Sequence, residues 1–231
     1  MKEGTPMTIK TYKTPFSRAY WQDAYRELKS TRMLVLAAVL IALRVALKSV
    51  SIPVGDQMYI TVGYFINAVG SMVYGPVVAF LSGVVSDLLG CIFFPKGPYF
   101  FPFTVIEGLG SFFFAIFLYR ARLSAVRIFG ARLTVSVVLN LLLTPLALSW
   151  MYGKSITVYL IPRIAKNLLL FPLEAVLLML FIGVMVPVLQ RLQLTGEQPQ
   201  LSLTRRHIVV LGLMFAVAIA AVIVYYTYFY A

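Results

Sequence analysis

Seven apolar runs set the limits on what this chain can become. They fall at about residues 33–51, 60–75, 76–94, 103–119, 133–152, 157–189 and 208–230, separated by short polar, basic or proline-containing segments. A helix needs about 20 mostly apolar residues to cross the hydrocarbon of a bilayer. The second and third runs are short and are split by the turn signal Tyr74-Gly75-Pro76. The sixth is long enough to span with tilt, or to begin as a loop near Pro162. Hydrophobic residues make up 61% of the chain and charged residues 12%, against roughly 25% charged in an average soluble domain. No compact soluble core hides that much apolar surface, so lipid is the solvent for much of it. The pattern predicts an all-α, polytopic transmembrane bundle: a basic N-terminal segment over 1–32, a membrane domain over 33–190, a polar loop over 191–207 and an additional transmembrane helix over 208–231.

Charge predicts an orientation. The net charge is +12, but the basic residues sit between apolar runs, so retention on the cytoplasmic side explains them and nucleic acid does not. Seven Lys or Arg lie in residues 1–32, four between Arg120 and Arg132, and three at Arg191, Arg205 and Arg206. The intervening loops carry Lys96 and Lys154. An N-terminus in the cytoplasm, with the chain in the plasma membrane, follows. Within the first segment Tyr20, Trp21, Ala24, Tyr25 and Leu28 share one side of a helix, with Arg18, Arg26 and Lys29 on the other. That reads as an interfacial amphipathic helix; a disordered tail is the alternative.

Arg44, Lys48, Asp87, Glu107, Arg163, Lys166 and Glu174 fall within or beside the apolar runs. A charge facing lipid is costly, so these side chains face a cavity or one another. Arg44 and Lys48 share a face of the first run. Arg163, Lys166, Asn167, Leu170 and Glu174 make one polar stripe on the sixth. Four inward cations suit a ligand with carboxylate or phosphate groups; structural ion pairs with Asp87, Glu107 and Glu174 are the competing reading. The loop Pro95-Lys96-Gly97-Pro98-Tyr99-Phe100-Phe101-Pro102-Phe103 is stiff and aromatic, which fits a lid over a planar ring. Asp56 and Tyr59, in an earlier loop, add a carboxylate and another ring.

Other chemistries lack their residues. His207 is the one histidine and Cys91 the one cysteine, which excludes a His/Cys metal cluster and a Ser-His dyad. Gly153-Lys154-Ser155 resembles the end of a phosphate-binding loop, but Leu148 stands where that motif has its first glycine. No paired-carboxylate motif supports an intramembrane enzyme, and no cofactor is implied. If such a chain concentrates a solute, the energy comes from partners or an ion gradient. Ala38, Ala42 and Ala46 form a small-residue strip on the first run, fitted to the close approach of another helix or to internal packing.

Several of these stretches resemble the substrate-binding (S) components of energy-coupling factor (ECF) transporters, in particular the folate family. They are Glu27-Leu28-Lys29-Ser30-Thr31-Arg32 leading into Leu36–Leu43, Asn67–Pro76 followed by Ser86-Asp87-Leu88-Leu89-Gly90, Phe94–Thr104, Leu139-Asn140, and Pro162–Leu168 with Pro172-Leu173-Glu174. The resemblance covers roughly residues 25–190. It implies a non-enzymatic six-helix subunit that binds a vitamin from outside; residues 208–230, which read as a seventh helix, depart from that pattern. It also implies association with a transmembrane coupling subunit and two cytoplasmic ATPase subunits, docked through Ala38, Ala42 and Ala46. On this reading Arg44, Lys48, Arg163 and Lys166 meet the carboxylates of folate or a related anionic vitamin, beside Asn167. Asp56, Asn67, Asp87, Glu107 and Asn140 are candidates for the ring's hydrogen-bonding edge, with Tyr59, Tyr99, Phe100 or Phe101 covering the ring. A queuosine- or cobalamin-like solute, or a stand-alone carrier, are the alternatives.

Overall fold

The structure is a computed structural model that describes residues 11–12, 14–50, 52–55, 58–60, 62–95, 97–196 and 198, with Val209, Gly212, Leu213, Ala216 and Ala220 beyond them. Asp56 and most of the expected seventh span lie outside the described residues.

Two serine caps start the chain's first helices. Ser17 Oγ accepts from the Tyr20 amide ahead of α1 (Arg18–Glu27), and Ser30 Oγ accepts from the Met33 amide ahead of α2 (Thr31–Lys48). These contacts satisfy amides that the first helical turn leaves without partners. The two helices meet at 74°. A short antiparallel hairpin follows, β1 (Ile52–Gly55) with β2 (Met58–Ile60), pairing Ile52 with Ile60 and Pro53 with Tyr59. It is a departure from an otherwise helical chain. Then come α3 (Gly63–Phe93), α4 (Phe101–Leu118), α5 (Ala125–Thr134), a π-helical segment (Val135–Leu143), α6 (Thr144–Tyr152) and α7 (Ile156–Arg191).

By length and composition, Gly63–Phe93, Phe101–Leu118, Ala125–Tyr152 and Leu170–Arg191 suffice to cross a membrane, and the bent α1–α2 pair is a fifth candidate. The chain is a multi-pass membrane protein. Its longest candidate is not one straight rod. Gly75 has φ 76° and ψ 175°, a conformation open to glycine and strained for a side chain, and Pro76 removes the next amide donor. Gly63 and Gly90 border the same cavity, whereas a straight helix would hold them roughly 40 Å apart. The chain therefore doubles back at Gly75, where the sequence placed its turn.

Two expectations change. The basic loop read as Arg120–Arg132 ends at Ser124, because Ser124 Oγ accepts from the Arg127 amide and Ala125, Ile128 and Ala131 bury one face of α5. Arg132 is consequently a buried residue of the bundle and not a loop cation. α7 is helical from Ile156 onward, which closes the alternative of a loop beginning near Pro162 and leaves the polar stripe on one helix, as its spacing suggested.

Two apolar clusters hold the bundle. The larger joins Val69, Met72, Val73, Phe114, Leu118, Ile128, Leu139, Leu178 and Ile182. The smaller joins Tyr20 and Ala24 of α1 to Tyr74, Ala79, Ala115 and Tyr119. The amphipathic α1 thus turns Tyr20 and Ala24 into the protein and leaves Trp21 and Tyr25 exposed.

Candidate functional site

A cavity of ≈ 450 Å³ opens among α2, both arms of α3, α4, the α5–π-helical wall and α7. That volume falls within the usual range for small-molecule pockets. Its lining brings together Arg44, Lys48, Asn67, Asp87, Glu107, Asn140, Arg163, Lys166 and Asn167, all singled out from sequence. Tyr99, Phe100 and Phe101 are not among the bordering residues. Phe101 starts α4 and is exposed, and Phe100 packs edge-on against Phe103 and Trp150 at 5.7 and 5.4 Å. Tyr59 belongs to β2, and its side chain lies outside the description. The rings bordering the cavity are Tyr64, Phe94, Phe103 and Phe114.

The wall made by α2, α3 and α4 is ion-paired across helices. Arg44, buried in α2, donates to Glu107 Oε1 at 2.6 Å and to Ser111 Oγ at 3.3 Å. One turn on, Lys48 Nζ donates to Asp87 Oδ1 at 3.1 Å. The second oxygen of Asp87 accepts from Thr104 at 2.9 Å, and Tyr99 OH lies 3.2 Å from that same threonine oxygen. Gly90 makes the Lys48 path possible: a Cβ there would stand 2.6 Å from Lys48 Cδ and 2.7 Å from its Nζ. The four-residue spacing of Arg44 and Lys48 thus serves two rungs to neighbouring helices. For these two cations the ion-pair reading holds.

The opposite wall is built on a partner that sequence reading missed. Arg132 pairs with Glu174 and stacks over the Tyr64 ring, 4.7 Å from its centroid. Tyr64 OH donates to the Glu174 carbonyl at 3.4 Å. Arg132 Nε is buried with no hydrogen-bond partner among the described residues. Beside it, Asn167 Oδ1 accepts from Ser136 at 2.6 Å and from Asn140 Nδ2 at 3.3 Å, while its Nδ2 donates to the Arg163 carbonyl at 2.8 Å. Ser136 and Asn140, four residues apart on the π-helical segment, share a face and reach one acceptor. Among the bordering residues five are cationic and three are carboxylates, so the cavity carries a positive excess.

Ala38, Ala42 and Ala46 do not touch this site. All three are exposed on α2, along with Val35, Val39 and Leu43. The internal-packing reading of the strip therefore fails.

Residues 28–194 match the family described as ECF-type riboflavin transporter, S component. A relative from Clostridium novyi (strain NT), named folate transporter FolT, is 29% identical over 154 residues, 65% of this chain and 88% of its own. A protein of the same name from Streptococcus mutans serotype c is 31% identical over 96 residues, 41% of this chain and 52% of its own. A solved structure, described as FolT bound with folic acid, aligns with a TM-score of 0.60 at 30% identity, covering 64% of this chain and 91% of that one. The cavity, the helical order and this match across most of the sequence agree: the chain belongs to the S components of ECF-type transporters, non-enzymatic membrane subunits that bind a substrate for transport.

Proposed function

We propose that the chain captures folate, or a closely related anionic heterocyclic vitamin, in the cavity between α2 and α7. The observation that carries this is the positive excess of the lining, five cations against three carboxylates. Folate combines two carboxylates with a hydrogen-bonding ring. Riboflavin, the solute in the family's description, carries no carboxylate and leaves the excess charge unanswered. On this reading Arg163, Lys166 and Arg132 serve the carboxylates. The paired Arg44–Glu107 and Lys48–Asp87, with Asn67, Asn140 and Asn167, offer donors and acceptors to the ring. Asp56, Tyr59, Tyr99, Phe100 and Phe101 act at the mouth. Isothermal titration of the purified chain tests it: folate should bind at least tenfold more tightly than riboflavin, and the reverse order overturns the reading.

The rest of the transporter follows the family pattern. Six helical passes form the core, counting the two arms of α3 separately, and the N-terminus is cytoplasmic. A coupling subunit powered by two ATPase subunits docks on the exposed face of α2, where Ala38, Ala42 and Ala46 let a helix come close. Ala42→Trp holds such a helix away without touching the cavity. Uptake of labelled folate by the assembled complex should fall to background, while binding to the isolated subunit stays within twofold. Undiminished uptake overturns the docking face.

A further inference from the structure

A second concavity, of ≈ 410 Å³, lies on the bundle's outer side between the α5–π-helical wall and α7. Leu133, Val137, Ile164 and Leu168 line it and are about half exposed. Its polar members, Ser136 and Asn167, hydrogen-bond each other at 2.6 Å. Asn167 also borders the solute cavity, so its amide is the partition between the two spaces. The groove offers apolar contact and little else. One lining residue comes from beyond α7: Leu213.

We propose that the apolar segment 208–230 of this same chain seats in that groove as a membrane helix. Two fixed points set its path. Gln198 Oε1 accepts from the Leu123 amide at 3.0 Å, which holds the start of the C-terminal stretch beside the beginning of α5. Fifteen residues farther on, Leu213 borders the groove. Leu133 and Leu141, on the facing wall, stand ten and eighteen residues beyond Leu123. Residues 208–230 contain no charged side chain, and 23 residues are enough to cross a bilayer. No lining residue of the groove belongs to α2, so a helix seated here leaves the exposed alanine face uncovered.

Paired cysteines test the seat in native membranes. With Cys91 replaced by Ser and a protease site placed between Gln198 and Arg205, Leu168→Cys or Val137→Cys is combined with Leu213→Cys and oxidised. Leu81→Cys, on an exposed face of α3, replaces the first partner in the control. The two groove pairs should hold the cleaved fragments together within one chain at least tenfold more than the control. Links between chains alone put a second copy in the groove and overturn the proposal. Linking no greater than control leaves the groove to lipid acyl chains and overturns it equally.

Discussion

Two ion-pair clusters, one at each end of α4, use the same side-chain chemistry for opposite ends. Near its C-terminus, Arg120 bridges Asp23 and Glu27 of α1 at 2.5 and 2.9 Å. Tyr12 OH donates to Asp23 and Tyr119 OH to Glu27. Burial pushes the Tyr119 phenol well above its ordinary pKa, so it stays protonated as a donor. Arg120 is held at a φ of 47°, unusual for a residue with a side chain, and the two carboxylates secure it there. This cluster closes over packed rings of Tyr20, Tyr74 and Tyr119. Near the N-terminus of α4, Arg44–Glu107, Lys48–Asp87 and Arg132–Glu174 instead surround open volume. An arginine–carboxylate pair is a fastener over a packed core in one place and part of a cavity wall in the other. What lies beside the pair decides.

The largest expected effect comes from breaking a wall pair. Arg132→Met strands the Glu174 carboxylate, and removal of one partner from a buried pair costs about 3–5 kcal/mol. Thermal unfolding in detergent should show a large fall in Tm, together with loss of folate binding. A variant as stable as the parent would erase the distinction between this pair and a surface one. Next comes Arg163→Ala, which should weaken folate binding by about 1.5–3 kcal/mol, the range of a hydrogen bond to a charged group, with Tm nearly unchanged. Titration calorimetry reads the first quantity and unfolding the second. At the fastener end the order reverses. Arg120→Met should lower stability by about 1–2 kcal/mol, as for loss of a few partly exposed charge-assisted bonds, and leave folate affinity within twofold. A shift in affinity there would show that the two clusters communicate. The smallest effect is expected from a chain ended at Gln198: every residue bordering the cavity precedes position 175, so affinity should stay within twofold.

The same contrast explains what could be read in advance. The Gly75-Pro76 turn announces its structure locally, because backbone freedom depends on the residue itself and its neighbours in sequence. Arg44 and Lys48 were legible as an inward pair because helical spacing fixes a shared face. Whether they met a ligand or Glu107 and Asp87 was not, since that depends on how α3 and α4 lie across α2. Arg132 was misplaced for a related reason. It closes a run of basic residues that looks like a loop, and its inward face shows only through Ala125, Ile128 and Ala131. Tyr64 gave no signal beyond being aromatic near a run's start. The π-helical segment that carries Ser136 and Asn140 beside Asn167 has no marker in composition. The aromatic stretch Tyr99–Phe101 was dense enough to suggest a cover, but the beginning of α4 at Phe101 turns part of it outward.

The apolar cluster below the cavity has a consequence for traffic. Phe114, Val135 and Leu139 border the open volume and also belong to the packed mass that runs on through Leu118, Ile128, Leu178 and Ile182. Interiors at that density hold few voids larger than a water molecule. The site is therefore a well with a solid floor. A solute held there, on the proposed function, rests on packed apolar side chains. If the proposed function holds, carrying a load past such a floor takes movement of the whole body and not the opening of a passage through it.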